Sequence, residues 1–153
     1  MRFDYINPFA DSACETLSRI LHAPVQKGEL SLKNSPVPNL GVATIIGITG
    51  QVKGRVIFEM EPRTALELAE ALNGEHLEKM TPLALDTIAE MSNMMIGGAV
   101  TALNNQGFEF NVTPPTIFSG VEMASADIHM ETLVIPLETS YGKVIVNAAL
   151  QID

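Results

Sequence analysis

The chain has 153 residues, 46% hydrophobic and 5% aromatic, with a formal net charge of −9. That length supports one hydrophobic core, so a single domain is expected over 1–153. An acidic balance with no basic block excludes the classes that bind through Lys and Arg, nucleic-acid and anionic-membrane binders, and favours a partner with a basic rim.

In chain order, Asn7-Pro8 reads as a helix start, with Phe9, Ala13, Leu17, Ile20 and Leu21 following at helical spacing and His22-Ala-Pro24 closing the segment. Cys14 is the lone cysteine, so no internal disulfide forms, which suits a reducing compartment. Among Ala13, Leu17 and Ile20 it reads as a small buried thiol. The N-terminal residues carry no apolar signal run and no stretch reaches membrane-spanning length, so the expected location is cytoplasmic.

Residues 28–40 read as a short strand near Leu30 and Leu32, then a loop carrying Pro36 and Pro38. Val42–Thr49 is rich in β-branched residues, Gly50–Gly54 turns the chain, and Arg55–Met60 returns it as a hairpin. Glu61-Pro62 opens a second helix with Ala65, Leu68, Ala69 and Leu72 on its apolar face, and Asn73-Gly74 closes it. Thr81-Pro82 opens a third, which can run to Asn104 or Asn105, before Gly107. Pro114-Pro115 belongs at a sheet edge or crossing, since proline cannot donate to a ladder. Thr132–Gly142 and Lys143–Leu150 form a second hairpin.

Gly54-Arg-Val-Ile57 echoes Gly142-Lys-Val-Ile145, and Asn7-Pro-Phe-Ala10 echoes Thr81-Pro-Leu-Ala84. The expected fold is therefore α+β: an antiparallel sheet of hairpins packed against three helices, with a pseudo-repeat of helix plus hairpin.

On the third helix, Leu85, Ile88, Ala89, Ser92, Met95, Ile96, Ala99 and Leu103 cluster as a core face. Asp86, Glu90, Asn93, Gly97, Thr101 and Asn104 gather opposite, with Met94 at the margin. A solvated face is the plain reading of such a stripe. Against it stand Gly97 and Gly98, each costing roughly 1 kcal/mol of helix stability relative to Ala. Mid-helix glycine makes sense where another backbone approaches: Gly98, nearer the flank, inside the protein, and Gly97 against something outside it. Asp86, Met94, Gly97 and Thr101 are the expected partner-binding residues.

Glu90 and Asn93, three apart, share a face. A carboxamide can accept from and donate to one water and hold it in line with an electrophile. A carboxylate can grip a lysine or arginine. The pair suits a phosphoryl group already bound and neutralised on another protein, where catalysis is largely positioning. Other classes are poorly supported. His22, His76 and His129 have no metal spacing, no phosphate-cradling glycine loop is present, and no nucleophile elbow occurs. No cofactor of its own is expected, and a small-molecule enzyme has no positive support.

Glu90-Met-Ser-Asn93 followed by Gly97-Gly98-Ala99 resembles the signature of the CheX/CheC/FliY family of bacterial chemotaxis phosphatases, and within it the CheX branch most. Asn7-Pro-Phe, the Gly50–Met60 return, Pro115-Thr-Ile before Gly120, and Val134-Ile-Pro with Gly142 extend the resemblance over nearly the whole chain. The resemblance implies a CheX/CheC-like domain that dephosphorylates a CheY-like response regulator, which itself carries the aspartyl phosphate and Mg2+. Asn93 would position the attacking water and Glu90 would pair with a lysine at the regulator's site. Glu15-Thr-Leu-Ser18 on the first helix has Ser where Asn is required, so one catalytic motif per chain is expected. Homodimers joined through sheet edges are implied too. The alternative is a non-catalytic module of the same fold, docking on a response regulator or a flagellar switch component.

Overall fold

The computed structural model describes residues 3–34, 39–119 and 131–152. In chain order these form α1 (Phe3–Leu21), β1 (Gln26–Lys27), β2 (Ser31–Asn34), β3 (Val42–Gly50), β4 (Val52–Met60), α2 (Pro62–Asn73), α3 (Pro82–Asn105), β5 (Phe110–Val112), β6 (Thr116–Ser119), β7 (Glu131–Thr139) and β8 (Gly142–Ile152). Pro36, Pro38, Gly120, Asp127 and His129 lie outside the described residues.

The strands make one antiparallel sheet with β7-β8-β4-β3 at its centre. Period-2 alternation puts one side of each long strand beneath the helices. Val42 and Ile46 of β3, Phe58 and Met60 of β4, Leu133 and Ile135 of β7, and Val144 and Val146 of β8 all face that layer. Ile6, Phe9, Ala13 and Leu17 of α1 meet them there, as do Leu68 of α2 and Ile88, Met91 and Met95 of α3. The fold is thus two-layered, three helices on one sheet face. Among the described residues no helix is long and apolar enough to cross a membrane.

The repeat extends beyond the echo in sequence. The spacing that carries Gly54 onto Gly142 also carries Phe58 onto Val146, and these two are direct partners across β4–β8. It carries Glu59 onto Asn147 as well, and the Asn147 amide donates to Glu59 Oε2 at 2.8 Å. A pseudo-twofold axis therefore passes through the middle of the sheet. The short strands obey it by exchange. β1 and β2, which follow α1, pair with β7, whereas β5 and β6, which follow α3, pair with β3. Each half seals the outer edge of the other half's hairpin.

Three expectations need correction. Asn7-Pro8 does not start α1; the helix begins at Phe3 and Pro8 lies inside it. A proline this early removes one backbone bond near the frayed end, and burial of Ile6 and Phe9 keeps the segment helical. The turn of the first hairpin does not reach Gly54, because β4 already starts at Val52. Gly54 is a strand residue at φ 142° whose Cβ would collide with the Ala149 carbonyl of β8, so glycine serves close strand approach there. On α3, Leu85 and Ala89 are only half-buried, while Ala84 and Met91 are fully buried. The sheet, α1 and α2 together cover a wider, displaced arc of that helix.

Candidate functional site

Thr81 begins α3 as expected: its side chain accepts from the Ala84 amide at 3.3 Å, with Pro82 at the first helical position. Three hydroxyls along the helix, on Thr87, Ser92 and Thr101, donate to the carbonyls of Leu83, Ile88 and Gly97 four residues back. Each hydroxyl proton is thus satisfied within the helix, while Thr101 remains exposed on the outward stripe.

Asp86, Glu90, Gly97, Thr101 and Asn104 are exposed, and Asn93 is half-buried. Met94 is 42% exposed. Among the described residues, neither the Glu90 carboxylate nor the Asn93 carboxamide has a side-chain hydrogen bond or an ion pair. Both are therefore free to act on something outside the chain. Asn93 sits between buried Ser92 and exposed Met94, so its amide is held at the edge of solvent on a rigid element.

The two glycines divide as their positions on the helix suggest. A Cβ on Gly97 would meet nothing within 4 Å, whereas one on Gly98 would lie 3.0 Å from Thr16 Oγ1 and 3.5 Å from Ser12 Cβ. Gly98 lets α1 pack closely against α3, which fixes the helix one turn beyond Asn93. Gly97 is open to solvent.

The corresponding face of α1 is differently occupied. Ser18 Oγ donates to the Ala23 carbonyl at 2.8 Å, and Asp11 is ion-paired to Lys27 at 2.7 Å. Cys14 Sγ donates to the Val25 carbonyl at 3.2 Å. Burial pushes its thiol pKa up, Lys27 pulls it down and Asp11 adds to the rise. A protonated thiol held this way is a packing group and a poor nucleophile.

Sequence reasoning missed two features beside the stripe. Leu83, in the first turn of α3, is 51% exposed and lies on the same side as Glu90 and Met94. A groove of about 460 Å3 runs between the end of α2 and α3, lined by Leu72, Asn73, Asp86, Thr87, Glu90, Met91 and Met94. Leu83 could have been found by carrying the outward stripe one turn back. The groove depends on how α2 docks, which no local pattern encodes. Among the described residues, no group of three or more His, Cys, Asp or Glu could hold a metal ion.

A family model for the chemotaxis phosphatase CheX matches residues 42–138, a span that includes all of α3. The chain belongs to the CheX family. The CheY-P phosphatase CheX of Thermotoga maritima is 31% identical over 120 residues, covering 77% of each chain. A chain of the solved CheX-CheY-BeF3-Mg+2 complex from Borrelia burgdorferi superposes with a TM-score of 0.84 at 34% identity, covering 98% of this chain and 99% of that one. A CheC-like superfamily protein from Shewanella sp. PV-4 gives 0.84 at 28% identity, covering 99% of both. The CheX fold is therefore matched end to end, and the three-helix, antiparallel-sheet architecture is the family's own.

Proposed function

We propose that this chain hydrolyses the aspartyl phosphate of a CheY-like response regulator. Asn93 holds a water in line with the phosphorus, and Glu90 pairs with a lysine beside the regulator's phosphorylated aspartate. The water oxygen bonds to phosphorus and the bond to the aspartyl oxygen breaks. The free carboxylate is left on the regulator, and both protons of the water leave with inorganic phosphate as H2PO4−, which then equilibrates with solvent. Mg2+ on the regulator neutralises the phosphoryl oxygens, so this chain supplies position and no cofactor of its own.

One observation carries the reading: Glu90 and Asn93 share the outward side of α3, and among the described residues neither side chain has a partner. Support comes from the Thermotoga relative, named a CheY-P phosphatase, and from the Borrelia complex, in which a CheX is solved with CheY. A non-catalytic docking module would use Met94 and the acidic stripe equally well. It gives no role to an unpartnered carboxamide beside an unpartnered carboxylate, so catalysis is preferred.

The test is to phosphorylate CheY-like regulators with a small phosphodonor and follow phosphate loss with and without this protein. Acceleration at substoichiometric protein is expected; tight binding with unchanged decay would select the docking module instead. A cytoplasmic location and homodimers formed through the exposed edge strands belong to the same proposal. Sedimentation at rising concentration tests the dimer.

A further inference from the structure

Resting on that reading, we infer that the groove between α2 and α3 receives a lysine or arginine side chain of the docked regulator, distinct from the lysine paired with Glu90. The groove has the chemistry of a long cationic side chain. Its inner surface is apolar: Met91 is fully buried, Leu72 half-buried and Met94 partly exposed. Its mouth is acidic, from Asp86 and Glu90. A four-carbon stem packs on such a surface while its charged head stays at the rim. Methionine side chains adapt to the irregular shape of a stem.

The groove is also built to persist. Asn73, the last residue of α2, donates from its amide to Thr87 Oγ1 at 2.7 Å, and Thr87 in turn donates to the Leu83 carbonyl at 2.9 Å. This chain of bonds ties the end of α2 to the first turns of α3. Asp86 has no ion pair among the described residues. It lies four residues before Glu90, about 6 Å along the helix axis. A lysine engaged by Glu90 over the phosphoryl site leaves Asp86 to a second cation, and the chain's net charge of −9 favours one there. The groove thus reads the regulator's identity, and the Glu90–Asn93 pair performs the chemistry.

Two measurements test this. The first needs no regulator: Nα-acetyl-lysine amide and its uncharged counterpart Nα-acetyl-norleucine amide are titrated into the labelled protein. The lysine probe is expected to shift the methyl resonances of Leu72, Met91 and Met94, and Asp86→Asn to raise its half-saturation concentration several-fold. Equal shifts from the norleucine probe would make the occupant apolar, and no shift from either would overturn the groove as a site.

The second uses a regulator that the wild-type protein dephosphorylates. Asp86→Lys should raise KM about tenfold with kcat within twofold, and a Lys→Glu or Arg→Glu change on the regulator should restore it. Exposed Met94→Ala should raise KM in the same sense. Unchanged KM in both variants, beside an active wild type, overturns the inference. An inactive wild type would instead remove the proposed function, leaving the probe titration to decide the groove.

Discussion

Thr44 is fully buried on β3, on the side beneath the helices, and among the described residues its hydroxyl has no hydrogen-bond partner. Leaving a hydroxyl unsatisfied in such a place costs about 1–3 kcal/mol. Thr44→Val keeps the branched shape and removes the hydroxyl, so it should raise stability by about 1 kcal/mol in urea unfolding; an unchanged or lower midpoint would show that the hydroxyl is satisfied. Asn147 is the opposite case. It and Glu59 are 4% and 6% exposed, and its amide donates to the Glu59 carboxyl. Asn147→Ala should cost about 1 kcal/mol in urea unfolding, because Glu59 loses one donor but keeps the Asn39 amide, and both residues line a groove of about 640 Å3 that water can enter. At this scale Glu90 and Asn93 were legible as a pair, since three-residue spacing on a helix fixes a shared face. Glu59–Asn147 was not: nothing local signals a hydrogen bond between residues on β4 and β8.

Helix α3 separates two effects of glycine. Gly97→Ala places a methyl in open space, so helix propensity alone should stabilise the free protein by roughly 1 kcal/mol. If the regulator approaches the helix backbone there, the same change should raise KM. A stabilised protein with unchanged KM would show that Gly97 faces only solvent. Gly98→Ala gains the same propensity but presses on Thr16, which is itself buried. It should fall below Gly97→Ala in thermal unfolding by about 1 kcal/mol or more; equal stability would mean that α1 yields freely. The limits of α2 and α3 were legible because Pro62, Gly74, Thr81 and Pro82 are start and stop residues with a mechanism. The start of α1 was not, because burial of Ile6 outweighs a proline that ordinarily marks a boundary.

The whole molecule is two similar halves that exchange their short strands across a pseudo-twofold axis. The paired Gly-Lys/Arg-Val-Ile motifs made the hairpins visible as repeats. The exchange was hidden, since Gln26–Lys27 and Phe110–Val112 are too short to carry an alternating pattern and their partners lie far along the chain. Symmetry of fold does not extend to chemistry. On α1 the Ser18 hydroxyl is bound to the chain's own backbone, whereas on α3 the Asn93 amide has no side-chain partner among the described residues. If the proposed partner docks through a basic rim, the chain's net charge of −9 should make docking salt-sensitive, so kcat/KM should fall as ionic strength rises. In the proposed mechanism Asn93 orders a water on a partner's phosphoryl group. The most direct measurement is phosphate loss from a CheY-like regulator at saturating wild type and saturating Asn93→Ala, with binding followed in parallel. A fall of about 10²–10³ in kcat with near-unchanged affinity and unfolding midpoint is expected. Equal turnover by the two proteins would contradict it.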